Sequence, residues 1–435
     1  MQRVRFFFCL AWILPMMAPS LMAERASVQQ SQNGTVLGSA NPWDVGLDFR
    51  ALNEGYAEIG LALSDKAAPG AVILLAKDGK VVRRRAFGFA QLYTEHKKKN
   101  STEPPYDERK VRMRTTTVFD LASLTKTVAT TTSIMILVER GKIDLDAPVC
   151  RYLPEFGRAA KEQVTVRHLL THSSGLPAWL DLYQLGCNRR EIFQMVCDQE
   201  LDTPPGYQRV YSDLGFIILG ALVEKVSGRS LDQFARRHIF KPLGMNDTLF
   251  RPRGRIRGRC AATEYSALYK RFLIGEVHDE NAHKMGGVAG HAGLFSTADD
   301  LAVFCQMLLN EGIYGDTRIL KPETVRLMLT PQLKAEVLER GARFLKGREQ
   351  LIGWWAMGER PEVTSSGGLP SPTAYGHSGF TGTSIWIDPK HNLFAILLTN
   401  AVHPSREKCD RTRLRKAFHG SIWHAMGFEL PEVVK

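Results

Sequence analysis

The sequence predicts a mixed α/β (α+β) fold: an antiparallel sheet flanked by helices, built from both chain ends, with a mainly helical segment inserted between them. Three observations predict it. Near the start, residues 71–76 (AVILLA), the turn Lys77-Asp78-Gly79-Lys80 and Val81-Val82 read as strand, tight turn and strand. Near the end, residues 383–387, a turn over 388–392 and residues 393–398 repeat that pattern. Between about residues 145 and 274 the apolar spacing is mainly helical.

The elements follow in order. Residues 24–42 are rich in Ser, Gln, Asn and Gly and are expected to form a flexible leader, with the folded domain running from Trp43 to about residue 430. Residues 94–105 are polar, end in Pro104-Pro105 and read as an exposed excursion. A helix over 125–140, closed by Gly141, puts Ser123 at a helix start. Further helices are expected over 190–200, over 213–226 with Gly228 as terminator, and over 231–239. Ser296-Thr297-Ala298-Asp299 resembles a capping box, with Asp in place of Glu, opening a helix through Leu309. A helix over 411–426 closes the chain. The expected division is a sheet lobe, residues 43–122 plus 285–430, around a helical lobe, residues 123–284.

With 435 residues, 44% hydrophobic and 23% charged, the chain has ordinary globular composition and enough apolar residues for a large core. Residues 1–23 place Arg3 and Arg5 ahead of the apolar run FFFCLAWIL, the order of a secretory signal, and no second apolar run approaches the ~20 residues that span a bilayer. A periplasmic or extracellular protein is expected, membrane-anchored if the signal is retained. The formal charge is +12, with basic runs at Arg83-Arg84-Arg85, Lys97-Lys98-Lys99 and residues 251–257. Those runs lack interleaved aromatics and belong to no nucleic-acid motif, so they read as solvated surface attracted to anionic envelope polymers. Apart from Cys9 in the signal, the cysteines are Cys150, Cys187, Cys197, Cys260, Cys305 and Cys409, without a C-x-x-C pair. That spacing indicates neither a zinc ribbon nor a disulfide scaffold, although an oxidising compartment permits a Cys187–Cys197 bridge.

The chemistry-bearing residues fall in three segments. Ser123-Leu124-Thr125-Lys126 is S-x-x-K, and three residues along a helix return the chain to one face, so the Lys126 amine can reach the Ser123 hydroxyl. A serine becomes a nucleophile when a neighbouring base takes its proton, and a lysine serves as base when desolvation or adjacent positive charge lowers its pKa. Pro204-Pro205-Gly206-Tyr207 forms a turn that delivers Tyr211-Ser212-Asp213 to the next helix, where the Tyr211 phenol could relay protons. Gly376-His377-Ser378-Gly379-Phe380-Thr381-Gly382-Thr383 leads into the last hairpin, and its glycines allow close backbone approach to a ligand.

On these residues the sequence resembles the serine β-lactamase-like superfamily, in particular class C β-lactamases, penicillin-binding proteins and their esterase relatives. The family pattern S-x-x-K, Y-x-N, K/H-[TS]-G is similar to Ser123/Lys126, Tyr211-Ser212-Asp213 and His377-Ser378-Gly379, and residues 168–177 (HLLTHSSGLP) and 290–297 (GHAGLFST) match as well. The resemblance implies an acyl-enzyme on Ser123, proton transfer through Lys126 and Tyr211, an oxyanion hole from the N–H groups of Ser123 and Phe380, and substrate contacts from Asp213, His377, Ser378, Gly379 and Phe380. It implies no cofactor and no metal. The partner is a small-molecule or peptidoglycan-derived substrate, with no nucleic acid. A penicillin-binding esterase or D,D-carboxypeptidase is expected; an N-acetylmuramyl-L-alanine amidase, a class C β-lactamase and a non-catalytic penicillin-recognising module share the same motifs.

Two departures bear on substrate. Asp213 stands where the family has asparagine, and a carboxylate cannot donate to a substrate amide as an NH₂ can. His377 stands where lysine is frequent and is expected to carry partial charge near neutrality, a weaker anchor for a substrate carboxylate. His278 and His283 follow H-x₄-H rather than H-E-x-x-H, so with His291 they read as a structural loop rather than a metal site. No G-x-S-x-G elbow is present, which argues against an α/β-hydrolase.

Overall fold

The computed structural model describes residues 34–95, 106–107, 110–185, 188–341, 347–359, 361–365 and 367–430. The expected signal, most of the leader, the Lys97-Lys98-Lys99 run and Cys187 lie outside the described residues. The main sheet contains, in chain order, β1 (Gly38–Ser39), β2 (Gly70–Lys77), β3 (Lys80–Gln91), β4 (Glu349–Gln350), β5 (Trp355–Ala356), β6 (Tyr375–Ser378), β7 (Ser384–Asp388) and β8 (Leu393–Thr399). Their spatial order is β1-β3-β2-β8-β7-β6-β5-β4, so strands from the two chain ends meet at the β2–β8 pair, as the sequence predicts.

Burial on both faces explains the uninterrupted apolar character of the central strands. Successive side chains alternate between faces. Val72, Leu74, Phe394, Ile396 and Leu398 enter the larger core with the inserted helical segment, while Ala71, Ile73, Leu75, Ala395 and Leu397 enter a second core. Three helices matter most for the site: α1 (Phe49–Ser64), α2 (Asp213–Ser227) and α3 (Arg411–Ala425). Helices α1 and α3 cover the second core and cross closely, because a Cβ at Gly55 would overlap Ser421.

The structure corrects several expectations. The leader is structured from Gly34: Gly34 and Gly315 pair, Leu37 N–H donates to Tyr314 Oη at 3.2 Å, and β1 runs parallel to the start of β3. Backbone bonds to a sheet edge hold this stretch, and composition does not register them. The middle segment is mainly helical, as expected, but it also holds strands that the sequence did not show. Ala262–Ser266 and Arg271–Ile274 form an antiparallel hairpin, and Phe119–Asp120, Leu294–Ser296 and Leu249–Phe250 form a small sheet. The helix expected over 231–239 runs as Leu231–Ala235 and then widens into a π turn over Arg236–Phe240. Among the described residues no helix is long and apolar enough to cross a membrane.

Candidate active site

Ser123 follows the short strand Phe119–Asp120 and precedes a helix whose first turns, Lys126–Thr131, have π geometry before Thr132–Glu139 becomes regular. Ala122 is left-handed at φ 46°, a backbone strain of the kind that turns a side chain out at functional sites. Asp120 is buried; its Oδ1 accepts Ala122 N–H at 2.9 Å and its Oδ2 accepts His278 N–H at 2.7 Å, which pins the turn before the serine. Burial pushes the Asp120 carboxyl up, against those two N–H donors.

Lys126 is fully buried, and its Nζ donates to Ser123 Oγ at 2.9 Å and to His291 O at 3.0 Å. The same nitrogen lies 2.7 Å from Asp213 Oδ1 and 5.0 Å from the Tyr211 ring centroid. Burial alone would lower the Lys126 pKa; the Asp213 carboxylate and Tyr211 outweigh it and hold the amine above its ordinary value. The resting lysine is therefore an ammonium, without the lowered pKa that a lysine needs to act as base. Tyr211 is also pushed up, by burial more than the Lys126 charge lowers it, so its hydroxyl, hydrogen-bonded to Ser123 and Lys126, is a neutral phenol.

Helix α2 holds this group in place. Its cap Ser212 accepts Gly215 N–H at 3.3 Å, donates its hydroxyl to Pro177 O at 2.7 Å and gives its N–H to His172 Nδ1 at 3.0 Å. The His172 ring lies 4.5 Å from Tyr211, and burial followed by the Lys126 charge keeps it far below its usual pKa. The stretches 168–177 and 290–297 thus gain roles in support of the site. His172 and Pro177 fix the tyrosine segment, and the carbonyls of His291 and Gly290 accept from Lys126 and, at 2.7 Å, from Thr130.

From the opposite side, the turn after β6 lies against the serine segment. Thr381 Oγ1 donates to Asp120 O at 2.8 Å and Thr383 Oγ1 to Leu121 O at 3.2 Å, roles that nothing in the motif's spacing revealed. A Cβ at Gly379 would overlap Leu121 O and Thr383 Oγ1, so this position requires glycine. Among the described residues neither the Ser123 nor the Phe380 N–H is engaged in a hydrogen bond, which leaves both available to an incoming oxyanion.

Two of the expected substrate contacts have partners within the protein. Asp213, expected to face a substrate amide, pairs with Lys126. His377 carries no charge near neutrality: burial first, then the Lys126 charge, brings it down to about 3, while its Nδ1 bonds Ser378 O at 2.8 Å and its ring stacks on Trp355 at 4.0 Å. Ser378 and Gly379 lie at the end of β6, and Phe380 is half-exposed beyond it. The three loop histidines do not converge. His278 lies 3.0 Å from Glu264, His283 3.3 Å from Glu276 and His291 2.8 Å from Asp279.

Ser123 Oγ, Lys126 Nζ and Asp213 Oδ1 form a chain of contacts, and the hydroxyl proton can leave along it once the Lys126 ammonium has passed a proton to the Asp213 carboxylate, with the Tyr211 phenol alongside. A buried lysine bonded to a serine at a strained strand-to-helix turn, with backbone N–H groups left open beside it, defines a serine hydrolase of the S-x-x-K type. Comparison with known proteins then places it: the family model described as Beta-lactamase matches residues 49–419, and the chain belongs to that family. The chain is 34% identical to an N-acetylmuramyl-L-alanine amidase of Bacillus subtilis (strain 168), over 77% of this chain and 78% of that protein. It is 32% identical, over 88% of this chain and 90% of the other, to a protein of Escherichia coli (strain K12) provisionally named D-alanyl-D-alanine carboxypeptidase. The octameric penicillin-binding protein homologue from Pyrococcus abyssi shares the fold, with a TM-score of 0.65 at 24% identity over 87% of this chain and 79% of that one.

Proposed function

We propose that this protein is an exported serine hydrolase that opens an amide bond of peptidoglycan-derived material through an acyl-enzyme on Ser123. Ser123 Oγ attacks the carbonyl, and its proton passes into the Lys126–Tyr211–Asp213 group. The N–H groups of Ser123 and Phe380 receive the oxyanion, the leaving amine takes up a proton, and water releases the acyl group. The two relatives support a cell-wall substrate, and the signal-like order of residues 1–23 supports export.

The buried, uncharged His377 supports one of their chemistries over the other. A D,D-carboxypeptidase must hold the free carboxylate of a terminal D-alanine, which a neutral imidazole does not anchor electrostatically. An N-acetylmuramyl-L-alanine amide presents no carboxylate next to the scissile bond, and the amidase reading is therefore favoured. Purified protein is incubated with N-acetylmuramyl-L-alanyl-D-isoglutamine and, separately, with diacetyl-L-lysyl-D-alanyl-D-alanine, and products are read by mass spectrometry. Release of the dipeptide from the first substrate is expected. Release of D-alanine from the second as the faster reaction would overturn the amidase reading. Covalent labelling without turnover of either would mark a penicillin-recognising module instead.

A further inference from the structure

Helix α3 reaches from the second core to the turn that carries Phe380. Arg411 and Arg415 stand four residues apart on it and so share a face. Arg411 Nη1 donates to Phe380 O at 2.5 Å, while Arg415 Nη2 donates to Gly379 O at 2.8 Å and to Thr383 O at 2.9 Å. The remaining Arg415 amino group bonds Ser365 O at 2.8 Å, and its Nε is buried without a partner among the described residues. Arg415 is 6% exposed, and among the described residues no carboxylate pairs with it. A buried cation whose bonds all run to main-chain carbonyls is costly to keep, and stability alone does not explain it.

Its geometry offers an explanation. The carbonyl of Gly379 and the N–H of Phe380 belong to one peptide group, and that group is trans. In a planar trans peptide the C=O and N–H point in opposite directions, so a guanidinium bonded to Gly379 O orients the Phe380 N–H away from itself. A charged donor on the carbonyl also polarises the peptide and strengthens the hydrogen bond its N–H can give. The threonine bonds to Asp120 O and Leu121 O hold the same turn from the Ser123 side.

We propose that Arg415 is a positioning residue for the oxyanion hole: it fixes and polarises the Gly379–Phe380 peptide so that the Phe380 N–H stabilises the oxyanion formed on attack by Ser123. This rests on the reading that the Phe380 N–H receives the oxyanion. Loss of an oxyanion donor costs about a hundredfold or more in kcat, so weakening one is expected to cost roughly ten- to a hundredfold.

The test acylates the full chain with p-nitrophenyl acetate carrying carbon-13 in its carbonyl and reads the acyl-enzyme stretching band by infrared difference spectroscopy. In the unmodified protein the band is expected below that of a free ester, because the N–H groups polarise it. In Arg415→Met the band should rise, with kcat falling ten- to a hundredfold and KM changing less than threefold. Arg415→Lys, which keeps the charge but reaches only one of the two carbonyls, should fall between. If Arg415→Met does not fold, the lysine variant carries the test through its partial band shift. A band equally low in unmodified and variant proteins overturns the role of Arg415. A band in the unmodified protein no lower than that of the free ester overturns the Phe380 reading itself.

Discussion

Replacing Asp213 by asparagine tests how the site handles protons. The change removes a carboxylate 2.7 Å from a buried ammonium and leaves the volume nearly unaltered. At that separation two unit charges attract by about 6 kcal/mol with an effective dielectric constant of ~20, equivalent to a ceiling of ~4 pH units on the Lys126 amine. Asp213 is 17% exposed, so solvent screens part of this, and a shift of at least ~1 unit is expected. The sign follows from Lys126, whose folded-state pKa is raised. The stability this adds is fully present below the unfolded pKa of ~10.5 and lost only as pH rises through the higher folded value. Asp213→Asn should therefore be less stable at pH 7.

The kinetic consequence is a displaced pH profile. With Lys126 held as ammonium, kcat/KM should climb through the alkaline range; in Asp213→Asn that limb should move to lower pH by the same amount for esters and amides. The assay measures kcat/KM between pH 5 and pH 10 for p-nitrophenyl acetate and for an amide-bearing cephalosporin, with thermal unfolding alongside. A limb that stays in place while only the amide-bearing substrate accelerates would refute the ion-pair reasoning. That result would return Asp213 to the substrate-facing role that its place in the Y-x-N-like motif suggests.

Three further outcomes are expected. Ser123→Ala should abolish hydrolysis and covalent labelling by a fluorophosphonate, and labelling that persists at another serine would remove the nucleophile from this position. Gly379→Ala should destabilise the fold by on the order of 1–3 kcal/mol, because the methyl group overlaps Leu121 O and Thr383 Oγ1, and should slow acylation at least tenfold; normal unfolding and rates would contradict the packing. Glu264 is drawn down to about 2, since bonds from His278 and Arg406 outweigh the burial that raises it. The stability it adds is present above its unfolded pKa of ~4.5 and lost as pH falls towards 2, so Glu264→Gln should cost roughly 1–2 kcal/mol at pH 7, after solvent screening, and little at pH 2. A constant difference between those pH values in denaturant titrations would argue against this.

Much of the architecture was legible because its causes are local. Apolar runs at residues 71–76 and 393–398 demand burial on both faces, Lys77-Asp78-Gly79-Lys80 demands a turn, and Gly141 and Gly228, at φ 63° and 67°, end helices where the sequence places their ends. The reach from Lys126 to Ser123 follows from three-residue spacing, and the structure gives it as 2.9 Å. The hairpin in the middle segment was not legible because its strands are short, five and four residues, and carry little alternation; the pairing of Gly34 with Gly315 was not, because partners so far apart along the chain leave no periodic trace.

The sequence by itself determined which side chains could perform acyl transfer and in what order the chain presents them. Only the tertiary structure decided their protonation. Whether Lys126 is an amine or an ammonium, and whether His377 is charged, depends on burial and on one carboxylate 87 residues along the chain but 2.7 Å away in space. Desolvation and Coulomb energy vary with distance and exposure, not with spacing along a sequence, and so the counter-ion role of Asp213 and the grip of Arg415 on Gly379 and Thr383 appear only once the chain has folded.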